Sequence, residues 1–163
     1  MNKKENQKVE HMMTMLCSSS AVDKDSNSLS LFNMIEEITV DFKTENNQPI
    51  NFTQKKGVPI PFELVSIWNR PDDSPEVSTE IKMVLHDPDG EIMQESVSPL
   101  EIKNPHHRMR IRVKGNGLNV TKQGKYYFSI LFKNDGSFDE VVRVPLTVKV
   151  STPIPSDLRI LKK

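Results

Sequence analysis

Breakers constrain this chain more than anything else. Eleven prolines and six glycines are spread through 163 residues. Between them lie short apolar runs, most of which alternate apolar and polar residues. Alternation with period two puts the apolar side chains of a run on one face of a strand. Many short runs of this kind, bounded by turn residues, are the pattern of an all-β sandwich or barrel.

Met1 to Val9 is polar and reads as a disordered N-terminus (1–9), followed by a β-sandwich domain over 10–150 and a proline-rich tail over 151–163. The first strand is "HMMTMLCSS", apolar on both faces, as suits a central position. After the turn signal "SNS" (Ser26–Ser28), a second strand runs through "LSLFN" into "IEEITVDF". Leu29 and Leu31 share one parity, and Ile38, Val40 and Phe42 share the other. An unbroken strand that keeps one face to the core then needs a bulge near Asn33–Glu36. Leu31, Met34, Ile35 and Ile38 also fall at helical spacing, but so short a helix is marginal and "ITV" is β-branched, which favours a strand.

A polar loop (Lys43–Gly57) leads to a third strand, "VPIPFELVSIWN", with Pro59 and Pro61 at its start. The fourth is "STEIKMVLH", with Ile81, Met83 and Leu85 inward, and the fifth is "EIMQESV". "HHRMRIRVK" follows with Met109, Ile111 and Val113 inward, and "GNGLNVTKQG" is read as a connection. "KYYFSILFK" points Tyr126, Phe128, Ile130 and Phe132 inward. The hairpin signal "NDGS" (Asn134–Ser137) joins it to "VVRVPLTVKV", with Val142, Val144, Leu146, Val148 and Val150 inward and Pro145 outward, as suits an edge strand. These eight or so strands predict a two-sheet antiparallel sandwich. The tyrosine after a glycine turn in "GKYYF" and the tryptophan Trp68 give it an immunoglobulin-like cast without the cysteine pair.

The segments "LCSSSAVDKDSNSLSLFNMIEEITV", "FELVSIW", "LHDPDGEI", "GKYYFSILF" and "VPLTVKV" together resemble a family of small, uncharacterised bacterial proteins, a domain of unknown function. The resemblance covers about His11 to Val150. It implies a stand-alone bacterial, cytoplasmic β-sandwich and carries over no catalytic residue.

Charge balances at 22 basic against 22 acidic residues, so function must come from local patterning. The single cysteine, Cys17, rules out an internal disulfide. No apolar run approaches the roughly 18–20 residues that span a bilayer. The N-terminal "MNKKENQKVEHMMTMLCSSSAV" makes a poor signal peptide, so a cytoplasmic location without membrane contact is expected.

The acidic stretch "LHDPDGEIM" offers Asp87, Asp89 and Gly90 at calcium-loop spacing. Leu85 then stands at the first ligand position and Ser96 at the twelfth, which breaks the motif. A hairpin turn explains the same residues: Pro88 presets φ, Asp87 bonds the backbone ahead, and Gly90 takes positive φ. Cys17, among Met13, Met15 and Leu16, reads as a small buried residue. Glu36 and Glu37 face opposite ways on a strand and cannot act as a pair. No phosphate loop, dinucleotide fingerprint, zinc spacing or nucleophile elbow occurs, so neither cofactor nor metal is expected.

What remains is a cationic row. His106, Arg108, Arg110, Arg112 and Lys114 share one parity, so they project from one strand face. Such a row grips an anionic or acidic partner, or it is a solvated face paired with carboxylates such as Glu91, Glu95 or Asp139. No aromatic interleaves it, which argues against nucleic acid. The sequence is therefore read as a non-enzymatic binding module for an unidentified protein or other anionic partner. A structural module pairing through an edge strand is the alternative, and a hydrolytic enzyme ranks last. The oligomeric state is left open.

Overall fold

The computed structural model describes residues 9–41, 56–71 and 74–151. Among these residues every regular element is a strand. In chain order they are β1 (Glu10–Val22), β2 (Leu29–Met34), β3 (Glu37–Asp41), β4 (Lys56–Val58), β5 (Phe62–Asn69), β6 (Val77–His86), β7 (Ile92–Ile102), β8 (Arg108–Gly115), β9 (Leu118–Val120), β10 (Gly124–Asn134) and β11 (Ser137–Ser151). They form a four-stranded sheet ordered β2-β1-β5-β8, a five-stranded sheet ordered β3-β11-β10-β6-β7, and a small β4-β9 pair.

Among the described residues eleven strands stand where about eight were expected, and one pairing, β3 with β11, is parallel. The parity change between Leu31 and Ile38 has a different cause from the expected bulge. Strand β2 pairs with β1 in one sheet, while β3 pairs with β11 in the other. The chain crosses between sheets at Ile35–Glu36; Ile35, Ile38 and Val40 then pack against the core, while Leu29 and Leu31 stay outside it. "VPIPFELVSIWN" likewise splits. Val58 ends β4 and Phe62 starts β5, with Pro59 and Pro61 between them, where the missing N–H groups stop the ladder. The connection "GNGLNVTKQG" contains β9. Phe42, most of the polar loop and the tail from Thr152 lie outside the described residues, as do Met1 to Lys8. Val9, assigned by sequence to the disordered N-terminus, is buried in the core.

Both large sheets feed one core, as in a β-sandwich. Leu16, Leu64, Trp68 and Ile111 come from one wall, and Ile81, Met83, Leu85, Tyr126, Phe128, Ile130, Leu146 and Val148 from the other. Aromatic rings join the walls. Trp68 stacks on Phe132 with centroids 5.8 Å apart, and Phe62 meets Phe128 at 5.4 Å. Burying each large ring contributes about 1.5–3 kcal/mol. Tyr126 is fully buried, so its hydroxyl must be paired. It donates to the carbonyl of Lys122 (2.8 Å) and accepts from the amides of Thr121 (3.0 Å) and Lys122 (3.2 Å).

Two turns close as their sequences require. Asp135 and Gly136 both have positive φ (46° and 87°), which is the two-residue hairpin geometry whose twist matches its strands. In "DPDG", the Asp87 carboxylate accepts from the amides of Asp89 and Glu91, both at 2.9 Å, and Gly90 takes φ 87°. Asp87 is thus spent on its own turn.

Pro145 marks a local edge. The first amide of β11 to reach the β3 segment is that of Thr147, bonded to the Glu36 carbonyl at 2.9 Å. Pro145 lies two residues earlier, so its nitrogen faces the same side, before β3 begins. The strand is an edge there and an inner strand beyond it.

Candidate functional site

Strand β8 is the last strand of the four-stranded sheet, paired antiparallel to β5 along its length. Its inward residues are Met109, Ile111 and Val113; Ile111 is buried and the flanking two are half-buried. Arg108, Arg110, Arg112 and Lys114 therefore project from the opposite face, as the alternation requires. His106 does not join them as a strand residue. It precedes β8, in a turn that passes through a cis Asn104–Pro105 bond and closes with the His106 amide on the Lys103 carbonyl at 2.8 Å.

The four strand cations divide into two pairs. Arg110 donates to the side-chain oxygen of Asn27 (2.9 Å) and to its carbonyl (2.7 Å). Lys114 pairs with Glu63 on β5 at 3.0 Å. Arg108 and Arg112 are exposed and make no direct ion pair with a described carboxylate, although the Arg112 charge is near enough to Glu63 to help lower its pKa. The carboxylates expected from sequence lie elsewhere. Glu95 is on β7, facing Lys82 at 3.6 Å, Glu91 stands just before β7, and Asp139 is on β11.

The contact with Asn27 reveals a larger feature. Met13, Ile67 and Arg110 lie side by side in register, and Asn27 is fourteen residues past Met13. A straight strand would carry it about 45 Å away at about 3.3 Å per residue. The β1–β2 hairpin must therefore bend back across the outer face of its own sheet. Burial agrees. Cys17, Val65 and Glu63 belong to that outer face by register, yet Cys17 and Val65 are fully enclosed and Glu63 is 6% exposed. Asn27 itself has φ 55°, a conformation that asparagine tolerates well.

The hairpin also sets the chemistry beneath it. Glu63 accepts a short hydrogen bond from the Ser20 hydroxyl. That bond, and then the charges of Lys114 and Arg112, hold its carboxyl below the usual range against the opposing effect of burial. Burial and the Glu63 charge together push the Cys17 thiol up, and its sulfur rests 3.6 Å from the Glu63 carbonyl. This is an unreactive thiol.

An open cleft of about 530 Å³ lies between the hairpin tip and the start of β8, lined by Asn27, Asn69, Pro105, His106, Arg108 and Arg110 among others. Behind its wall sits Arg70, 2% exposed. Its guanidinium donates to the carbonyls of Ser74 (2.7 Å) and His106 (3.1 Å) and to the Asn104 side chain (2.8 Å). Its Nε has no partner, and among the described residues no carboxylate reaches it; Asp72 and Asp73 are outside them. The cleft offers donors and positive charge. No cluster of three metal-ligating side chains occurs among the described residues.

The sequence reading missed Asn27, Glu63 and Arg70. Asn27 carried a turn signal and no sign of its reach. Glu63 was hidden by its place opposite Lys114 in a neighbouring strand, and Arg70 by lying outside the alternating run. The chain matches no protein-family model, and no curated protein is significantly similar to it.

Proposed function

We propose that this chain is a non-enzymatic binding module that recognises an anionic or acidic partner through the basic face of β8. The observation that carries this reading is the pair Arg108 and Arg112, exposed on an edge strand with no direct ion pair to a described carboxylate. Direct pairing usually consumes a charge, and these two make no direct pair; Arg108 also lines the cleft together with His106 and Arg110. Binding is favoured over catalysis because groups with nucleophilic or acid–base character are otherwise committed: Asp87 to its turn, Glu63 to Ser20 and Lys114, Cys17 beneath the hairpin.

The architecture is read as immunoglobulin-like. Strands β6, β7, β10 and β11 take the places of C, C′, F and G, β5 and β8 those of B and E, and β3 runs parallel to the last strand. The bonds of Tyr126 to residues just upstream support the tyrosine corner. The cytoplasmic expectation and the resemblance to small bacterial proteins fit an intracellular binding domain.

The test is fluorescence anisotropy with labelled poly-glutamate. Wild type should bind, and binding should weaken as salt rises. Arg108→Glu with Arg112→Gln should abolish it while the variant still unfolds cooperatively; retained binding by a folded double variant refutes the proposal. A second reading, assembly through an edge strand, rests on Phe32 and Met34 of β2, 48% and 54% exposed on the outermost strand of its sheet. It expects a concentration-dependent oligomer in sedimentation, and a monomer at high concentration refutes it.

A further inference from the structure

We infer that the partner is an extended acidic segment of another protein that adds to the free edge of β8 as an extra strand, with acidic and apolar residues alternating along it. The inference rests on the anion-binding reading above and adds how the anion is presented. Three observations meet on β8.

First, no strand pairs with its far side among the described residues. Every second residue of an edge strand aims its N–H and C=O away from its only neighbour, which is a template for an added strand. Strand β8 contains no proline to break that template.

Second, the outward face carries Arg108 and Arg112, four residues apart, while Arg110 and Lys114 between and beyond them are held by Asn27 and Glu63. Alternate residues on a strand stand about 6.6 Å apart. Carboxylates at alternate positions of an added strand would therefore fall beside each cation in turn. Directly opposite cross-strand pairs lie within about 4.5–5.5 Å. A second copy of β8 would instead set arginine against arginine, which excludes self-pairing as the occupant.

Third, the inward face is incompletely covered. Ile111 is 7% exposed, yet Met109 and Val113 on either side of it are only half-buried although they pack against the core. Apolar residues alternating with the carboxylates would complete that burial. One face asks for acid, the other for apolar surface, and the edge asks for backbone.

The experiment uses the full chain and labelled, end-blocked peptides in an anisotropy titration. The alternating peptide Glu-Val-Glu-Val-Glu-Val-Glu should bind at least tenfold tighter than Glu-Glu-Glu-Glu-Val-Val-Val. Two further peptides carry N-methyl groups on all valines or on all glutamates. Only one set of amides can face β8, so one methylated peptide should lose at least tenfold and the other should bind nearly as well as the parent. Equal binding of the two methylated forms, whether both strong or both weak, overturns strand addition, as does equal binding of the alternating and block peptides. In those cases poly-glutamate binding that still needs Arg108 and Arg112 leaves the anion-binding reading standing. Loss of that dependence removes both.

Discussion

Strands β7 and β8 are consecutive, each stands at the edge of its own sheet, and they are joined by the five residues Lys103 to His107. Yet they treat their edges oppositely. Strand β7 carries Pro99, whose missing N–H spoils a pairing edge, and its charges find local partners: Glu95 faces Lys82, and Glu101 meets Lys103 at 2.9 Å. Strand β8 has no proline, and Arg108 and Arg112 make no direct ion pair with a described carboxylate. A protein that needed only to avoid aggregation would blunt both edges alike. The asymmetry is the reason to look for a partner at β8.

To present its edge rather than fray, β8 must be firmly seated on the core. Gly115 is where this can be broken most severely. A Cβ there would stand 2.3 Å from the ring of Phe62, and Phe62 is itself packed against Phe128. The ring cannot yield without disturbing the contact between the sheets. Gly115→Ala is expected to cost about 1–3 kcal/mol in urea denaturation, the usual range for overpacking a filled site. It should also weaken peptide binding, because the end of β8 is displaced. Stability equal to wild type would mean that β8 is loosely held and that its edge is not a formed template.

The inward faces of these strands were legible in the sequence because period-two alternation reports burial directly. Ile81, Met83, Leu85, Tyr126, Phe128 and Ile130 are all buried, as their parity required. Parity alone could not say why the phase inverts between Leu31 and Ile38. A bulge and a crossing between sheets give the same inversion, and only the pairing partner, β1 for β2 and β11 for β3, separates them. Of the cationic row, the alternation over Arg108 to Lys114 was legible, but His106 was placed on the strand because nothing in "HHRMRIRVK" marks where pairing starts. The division of the row into held and unheld members was out of reach. It depends on Asn27, which is 83 residues from Arg110, and on Glu63, whose position opposite Lys114 is a matter of strand register.

That division gives the smallest and most specific effect. Lys114 is 64% exposed, but its partner Glu63 is nearly enclosed, so removing the ammonium leaves a covered carboxylate with the Ser20 hydroxyl and the charge of Arg112. Lys114→Ala should cost about 1 kcal/mol, at the low end for losing one partner of a buried acid because the lysine side is open to solvent. Lys103→Ala, which breaks the exposed pair with Glu101 beside β7, should leave stability unchanged. The pH dependence distinguishes these further. The folded-state pKa of Glu63 is depressed. Its stabilisation is therefore complete above the unfolded value of about 4.3 and is lost as pH falls through the lower folded value. The gap between wild type and Lys114→Ala should be constant from pH 7 to about pH 5 and close as pH falls further, because protonated Glu63 no longer rewards a cation beside it. A gap that persists undiminished below pH 3 would show that Lys114 acts through packing of its alkyl chain. The charge pattern of β8 would then consist of three free cations and one held, instead of two and two.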